Sequence, residues 1–354
     1  MTIKKKIKIF ILRSGLYSYL FTAINFKRKI AEHLSYLNLF FSAHANNKRT
    51  YKIYTSDVLP DILNFQVASI CNANCIFCGY GTTLKEKKGF MNFVTFKKAL
   101  DEYIALGGKK ILFAPVYGDS LLDPGLGDKL EYVSKLKEIA QIGIITNGIA
   151  LTKNNIYKSL IDNKINDIGI SLADFDEKAY QEVYRVEAYK ELMRGIEDLL
   201  SYHAQQNSLT NITFHLRSPR QVRQIVESDD FIKYIKPYLG DHIDIQFMYS
   251  YDNWGGLIKK EDLRGLMKLR GIPKFRKMSC DKLFDFCVLF DGSVRLCACR
   301  TKGTQFDELI IGNIHTENLV GMLGKAASIR LKFMENDLPP VCRNCSFYTA
   351  GKKF

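Results

Sequence analysis

Three cysteines fall within eight residues, Cys71-Asn72-Ala73-Asn74-Cys75-Ile76-Phe77-Cys78, and no fourth follows closely. Thiolates at such spacing bind metal, and a closed zinc site or an ordinary cluster takes four ligands. Three leave one metal corner open, where chemistry can occur. The bland alternatives are a zinc knuckle or three unrelated buried cysteines. The other six of the nine cysteines lie between residues 280 and 345, after about two hundred residues that contain none. This clustering argues for metal sites and against a disulfide framework. Thiolate-bound iron implies a reducing compartment, so a cytoplasmic protein is expected.

The elements that must position these cysteines alternate. Asp61 to Ser69 reads as a first strand running into the cysteine loop, after Pro60. Phe96, Leu100, Tyr103 and Ile104 share one face of a helix over 93–106, with Asn92 as its N-cap and Gly107-Gly108 as its stop. Lys109 to Pro115 is a second strand. Asp123-Pro124 then reads as a cap with proline at the first helical position. Further strands are expected at 141–146, 165–171, 211–216 and 243–248, separated by helices. Strands alternating with helices imply parallel strands with helices outside, and six units do not complete an eightfold barrel. On the fifth strand His215 and Arg217 share one face at period two, so either could face a substrate. A buried arginine needs an anion: a structural ion pair with Asp252 is the favoured reading, a substrate phosphate the other.

Downstream, Cys280 is followed by eleven residues, Gly292, four residues and Cys297, and much later by Cys342-Arg343-Asn344-Cys345. Phe290-Asp291-Gly292-Ser293-Val294 predicts a hairpin, because Asp-Gly between β-forming residues is a strong turn signal. Cys287 lies in an apolar stretch and reads as a small buried hydrophobe, while Cys299 stands close enough to Cys297 to be an alternative ligand.

The C-x3-C-x2-C loop, with Phe77 before its last cysteine, resembles the signature of the radical S-adenosylmethionine (SAM) enzymes. The resemblance implies a [4Fe-4S] cluster on Cys71, Cys75 and Cys78, whose fourth iron binds the amino and carboxylate groups of SAM. It implies a partial (β/α)6 TIM-like barrel over residues 61–256, with active residues at the C-terminal strand ends. Tyr117-Gly118-Asp119-Ser120 takes the place of the family's motif for the SAM amino group, though Tyr117 and Ser120 depart from the pattern. Thr146-Asn147-Gly148 resembles the family's TNG, and Ser171 would touch the ribose or methionyl part. Phe77 would shield the cluster and the adenine, and Tyr80 would do the same or simply pack. Arg185 would pair with the SAM carboxylate or be a surface helix charge.

The C-terminal set resembles the SPASM/twitch extension. With nothing beyond Cys345 to hold a second cluster, the shorter twitch form is implied: a small α+β unit over 257–354 with one auxiliary [4Fe-4S] cluster on Cys280, Cys297, Cys342 and Cys345. Zinc is the alternative occupant. The implied chemistry is reductive cleavage of SAM to a 5′-deoxyadenosyl radical that abstracts a substrate hydrogen. An electron donor such as flavodoxin or ferredoxin would supply the reductant. An auxiliary acceptor would make the reaction a net oxidation of a small polar molecule: a sugar, a cyclitol or a nucleotide-linked glycan precursor. The alternatives are a radical peptide or protein maturase and, in another class, a non-catalytic zinc or iron–sulfur protein. Maturases often carry a larger peptide-recognition domain, and the sixty residues before the barrel are too few for one.

Residues 1–60 carry eleven Lys or Arg against Glu32 and Asp57, so +9 of the chain's +14 lies there. Helices packed on the barrel, a peripheral membrane contact or a partner-docking arm are the readings, with packing first, the membrane contact second and nucleic-acid binding third. No nucleic-acid motif accompanies the charge, and no nucleic-acid partner is expected. The basic surface suits a phosphorylated small-molecule substrate.

Overall fold

The computed structural model describes residues 58–81, 88–248, 250–274, 276, 278–298 and 307–349, with Ile30 and Leu34 as two helical positions upstream. The proposed roles of the basic segment, and Cys299, therefore lie outside the described residues. Among the described residues no helix is long and apolar enough to cross a membrane.

Six parallel strands follow in chain order: β1 (Leu63–Phe65), β2 (Lys110–Phe113), β3 (Gln141–Thr146), β4 (Asp167–Leu172), β5 (Asn211–Leu216) and β6 (Ile243–Phe247). Between them stand α1 (Phe93–Ala105), α2 (Leu126–Ser134), α3 (Ile156–Asp162), α4 (Glu177–Tyr184), α5 (Tyr189–Gln205) and the short α6 (Val222–Val226). The sheet stays open, as a partial barrel must. Side-chain alternation sets its two faces. Ile168, Ile170 and Leu172 of β4, like Ile212, Phe214 and Leu216 of β5, are fully buried. Ser171 and His215 sit opposite one another in register on the other face, both half-buried. Gly169 makes room there: a Cβ would stand 3.1 Å from His215 Nε2.

The first helix follows its expected chemistry. Asn92 Oδ1 accepts from Thr95 N at 2.8 Å, and Phe96, Ala99, Leu100 and Tyr103 are buried. Phe96 packs 4.7 Å from Phe65 and 5.9 Å from Phe113, ring to ring, pinning α1 to the first two strands. Two expectations change. The regular strand is shorter than expected, Leu63–Phe65, and beyond it Ala68 makes an isolated antiparallel bridge to Phe90 as the chain approaches the cysteines. The second helix starts at Leu126 with Gly125 as its cap, so Pro124 is not its first residue. Asp123 is otherwise engaged: Oδ1 accepts from Gly125 N at 3.0 Å and Oδ2 pairs with the buried Lys129 at 2.7 Å. A buried ammonium without a counter-ion would cost several kcal/mol, so the ion pair takes precedence over the cap.

Beyond β6, β7 (Ser250–Tyr251) pairs in parallel with β8 (Lys268–Leu269). Next come β9 (Phe286–Val288), β10 (Ser293–Leu296) and β11 (Ile310–Asn313). The Asp291-Gly292 turn joins β9 to β10 as predicted, with Gly292 at φ +84°. These strands do not form a sheet of their own. β9 lies parallel to β1, with Leu63 opposite Phe286, so nine strands run in the order β11-β10-β9-β1-β2-β3-β4-β5-β6. Two C-terminal helices follow, α7 (Leu319–Met334) and α8 (Pro340–Arg343). α7 docks on α1, where Glu102 Oε2 accepts from Leu319 N at 2.8 Å.

Candidate active site

Two helix-end carbonyls hold the cysteine loop. Asn74 N donates to Tyr184 O at 3.1 Å and Ile76 N to Val183 O at 2.9 Å. The last carbonyls of a helix lack intrahelical partners, so the end of α4 can accept N–H groups from elsewhere. Arg185 caps that helix at φ +54° and clasps the same loop, with Nε donating to Asn74 O at 2.6 Å and Nη2 to Asn74 Oδ1 at 3.0 Å. In this placement it fastens the loop. On the other side Cys71 N donates to Tyr80 Oη at 3.0 Å. Asn147 Nδ2 donates to Asn72 Oδ1 at 2.8 Å and lies 3.7 Å from Cys71 Sγ. An Arg185→Ala variant should lose ~1 kcal/mol of loop stability and surrender cluster iron to a chelator about fivefold faster, read by absorbance.

The three thiols lie close enough to influence one another's charge. Burial pushes Cys71 up to about 12, with Asp119 and then Cys78 adding to it. Burial also raises Cys75, followed by Cys78 and Cys71, while Arg217 opposes. Behind them Asp119 ties two strand ends together. Its carboxylate accepts from Thr146 Oγ1 at 2.9 Å, Asn147 N at 2.7 Å and Leu121 N at 3.0 Å. Burial raises Asp119, and these hydrogen bonds hold it down. Gly118 sits at φ +108°, and a Cβ there would stand 2.3 Å from Ala68 O, so only glycine fits. The carbonyl of Tyr117 accepts from Gln66 Nε2 at 2.9 Å.

Arg217 extends along the mouth of the sheet. Its Nη1 donates to Ser171 Oγ at 2.7 Å, and its guanidinium lies 5.4 Å from the Phe77 ring centre. Ser171 Oγ also meets Tyr184 Oη at 2.8 Å. The expected ion pair with Asp252 does not form, because Asp252 Oδ1 accepts from its own neighbour Trp254 N at 2.9 Å. Among the described residues Arg217 has no carboxylate partner. Burial and then the Arg217 charge push His215 down to about 4, so its ring is neutral at neutral pH. Phe77 packs 5.8 Å from Tyr184 and 5.1 Å from Tyr251, ring to ring. The buried Tyr251 hydroxyl has no hydrogen-bond partner among the described residues. Three thiols, an unneutralised guanidinium and a spare hydroxyl suit a thiolate-bound iron cluster together with a ligand that carries a carboxylate.

The second cysteine set also converges. Cys280, Cys297, Cys342 and Cys345 line one cavity, walled by Leu283, Leu309 and Phe333. Burial and then Cys297 push Cys280 up to about 12, and Cys342 is raised by burial, Cys297 and Cys280. Cys297 turns into this cavity at φ +63°, and buried Arg295, paired with Asp307 at 2.7 Å, donates to its carbonyl. Cys287 is fully buried away from the cavity, as expected. Asn253, which no sequence signal marked, joins the two regions: Nδ2 donates to Asn344 O at 2.6 Å, and its backbone N–H donates to Ser346 Oγ at 2.8 Å. Next to it, Trp254 packs on Gly79 of the first loop so closely that a Cβ there would stand 3.2 Å from the indole.

Residues 65–228 match the model of the radical SAM superfamily. The GTP 3′,8-cyclase of Thermodesulfovibrio yellowstonii is 27% identical over 142 residues, 39% of this chain and 42% of that protein, so the match spans less than half of that relative. Among solved structures, BtrN in complex with AdoMet and 2-DOIA superposes with a TM-score of 0.56 at 18% identity, over 84% of this chain and 98% of that one. Streptococcus suis SuiB bound to precursor peptide SuiA gives 0.53 at 16% identity, over 78% and 68%. At these identities the two structures establish a shared fold. The family match falls on the strands and loop that hold Cys71, Cys75 and Cys78, so residues 65–228 form a radical SAM domain, of the family whose members use a [4Fe-4S] cluster and SAM.

Proposed function

We propose that the chain carries out a net oxidation of a small polar molecule, with one auxiliary [4Fe-4S] cluster on Cys280, Cys297, Cys342 and Cys345. The observation that carries this reading is the gathering of those four thiols around one cavity, joined through Asn253 and Trp254 to the first cysteine loop. Among the described residues no three metal-binding side chains converge on a single ion. Thiolates of a four-iron cluster bind four different irons, so the wider arrangement favours a cluster over zinc. Bound on Cys71, Cys75 and Cys78, a reduced cluster with SAM supplies the 5′-deoxyadenosyl radical, and the auxiliary cluster supplies an electron acceptor.

The protein's own groups do the positioning. Arg217 offers its guanidinium to a SAM or substrate carboxylate, steadied by Ser171 and the Phe77 face. Asp119, Thr146 and Asn147 keep two strand ends together beneath the loop. Neutral His215 adds no second cation beside Arg217. Phe77, Tyr184 and Tyr251 form an aromatic wall that excludes water.

Flavodoxin or ferredoxin is the reductant class in this reading. The relatives named GTP 3′,8-cyclase act, by their name, on a phosphorylated small molecule, which agrees in size and charge. The test is to incubate anaerobic protein, SAM and reductant with sugars, cyclitols and their phosphates. The expected result is 5′-deoxyadenosine release stimulated by one class, with a product lighter by two hydrogens. Stimulation by peptides alone would transfer the protein to the maturases, and no 5′-deoxyadenosine at all would end the reading.

A further inference from the structure

A cleft of about 810 Å³ opens beside the ends of β5 and β6, within the size range of small-molecule sites. Tyr251 lines it and also packs against Phe77 of the cysteine loop, ring centres 5.1 Å apart, so the cleft borders the aromatic wall of the cluster site. Its lining is of two kinds. Pro219, Tyr251, Leu266 and Met267 form an apolar part, while Arg220, Lys260, Arg264 and Lys268 bring positive charge. The four cations are not equivalent. Arg220 is neutralised inside the protein by Asp174 at 3.2 Å and Asp176 at 3.4 Å. Among the described residues Lys260, Arg264 and Lys268 have no carboxylate partner, and Glu261 is the cleft's one acidic side chain. The pairing of β7 with β8 sets Lys268 opposite Ser250, one residue from Tyr251, and Arg270 N donates to Tyr251 O at 2.5 Å. The backbone therefore holds this charge next to the wall of the cluster site.

We propose that this cleft is the substrate site and that it takes a phosphate ester of an organic molecule. Lys260, Arg264 and Lys268 hold the phosphate, and the apolar part holds the carbon skeleton against Tyr251. The proposal rests on the radical SAM reading above and adds the class of substrate. Phosphate suits such a site because several unpaired cations can each donate charge-assisted hydrogen bonds to its oxygens. An apolar floor beside the cations favours an organic ester over the bare ion.

The test is isothermal titration of the anaerobic, cluster-loaded chain with inorganic pyrophosphate at low salt. The wild type should bind with a Kd below about 1 mM. Lys260→Gln/Arg264→Gln/Lys268→Gln should weaken binding by about tenfold or more, with an unchanged circular dichroism spectrum showing that the fold is kept. Glu261→Gln should tighten binding two- to threefold, roughly, a gain that misfolding cannot imitate. No binding by the wild type would overturn the proposal, and so would equal binding by the triple variant, which would place the pyrophosphate affinity outside this cleft. Pyrophosphate binding that follows these charges in a protein releasing no 5′-deoxyadenosine would leave the anion site standing and remove only the proposed reaction.

Discussion

Cys71→Ala/Cys75→Ala/Cys78→Ala should release no 5′-deoxyadenosine from SAM and should hold about four irons where the wild type holds about eight. The effect is total because nothing can stand in for the three thiols. Cys287 is buried on β9, and the other described cysteines line the second cavity. The reciprocal variant, with Cys280, Cys297, Cys342 and Cys345 replaced by alanine, should keep about four irons and slow SAM cleavage while losing the oxidised product. Iron and sulfide counts on anaerobically reconstituted protein check the cluster contents, and chromatography of 5′-deoxyadenosine and product checks the activities. A wild type holding about four irons, falling to none in the first variant, would show that the C-terminal thiols bind no cluster. The oxidative reading would then give way to a redox-neutral one.

Asp119→Ala is the second change with a large expected effect. It strands three buried donors at once: the Leu121 and Asn147 N–H groups and the Thr146 hydroxyl. Each stranded donor costs about 1–3 kcal/mol, so a loss of roughly 3–5 kcal/mol is expected. For a chain of this size that corresponds to a fall of about 4–7 °C in Tm. Because Asn147 also holds Asn72, the damage should reach the cysteine loop as lower iron retention. Circular dichroism melts of the apo protein measure the first effect and iron counts the second. A Tm within about 2 °C of wild type would show that the strand ends do not depend on this carboxylate. Asp119→Asn, which keeps the acceptor oxygen but turns an NH2 toward one of the donors, should fall between the two.

Local chemistry was legible in the sequence where it depended on neighbours in the chain. The Cys71–Cys78 spacing, the Asn92 cap, the Asp291-Gly292 turn and the span of β5 all appear as expected, because spacing and backbone preference decide them. Readings that required choosing between partners went wrong. Asp123 looks like a cap because it precedes proline, yet Lys129, too far along to be its helical neighbour, takes its carboxylate. Asp252 looks like a counter-ion for Arg217, yet the N–H of Trp254, two residues away, is a nearer competitor. The clasp of α4 on the loop was invisible because its acceptors are backbone carbonyls, which every residue possesses. An arginine directly after a helix of tyrosines was the one available hint. The Asn253 tie was hidden for a similar reason: its partners lie some ninety residues away.

The seating of β9 against β1 has a consequence for how the protein is made. β1 is among the first elements of the barrel to leave the ribosome, but the strand that covers its outer edge comes 222 residues later, as the Asn64–Phe286 hydrogen bond measures. At ~5–20 residues per second, that edge waits on the order of ten to forty seconds for its partner. A bare parallel edge is a template for pairing with another chain. Slowing translation between β6 and β9 should therefore raise the aggregated fraction of newly made protein, and faster passage should lower it. The loop with the first three cysteines is complete long before its edge is covered, so iron delivered early would meet a half-built sheet.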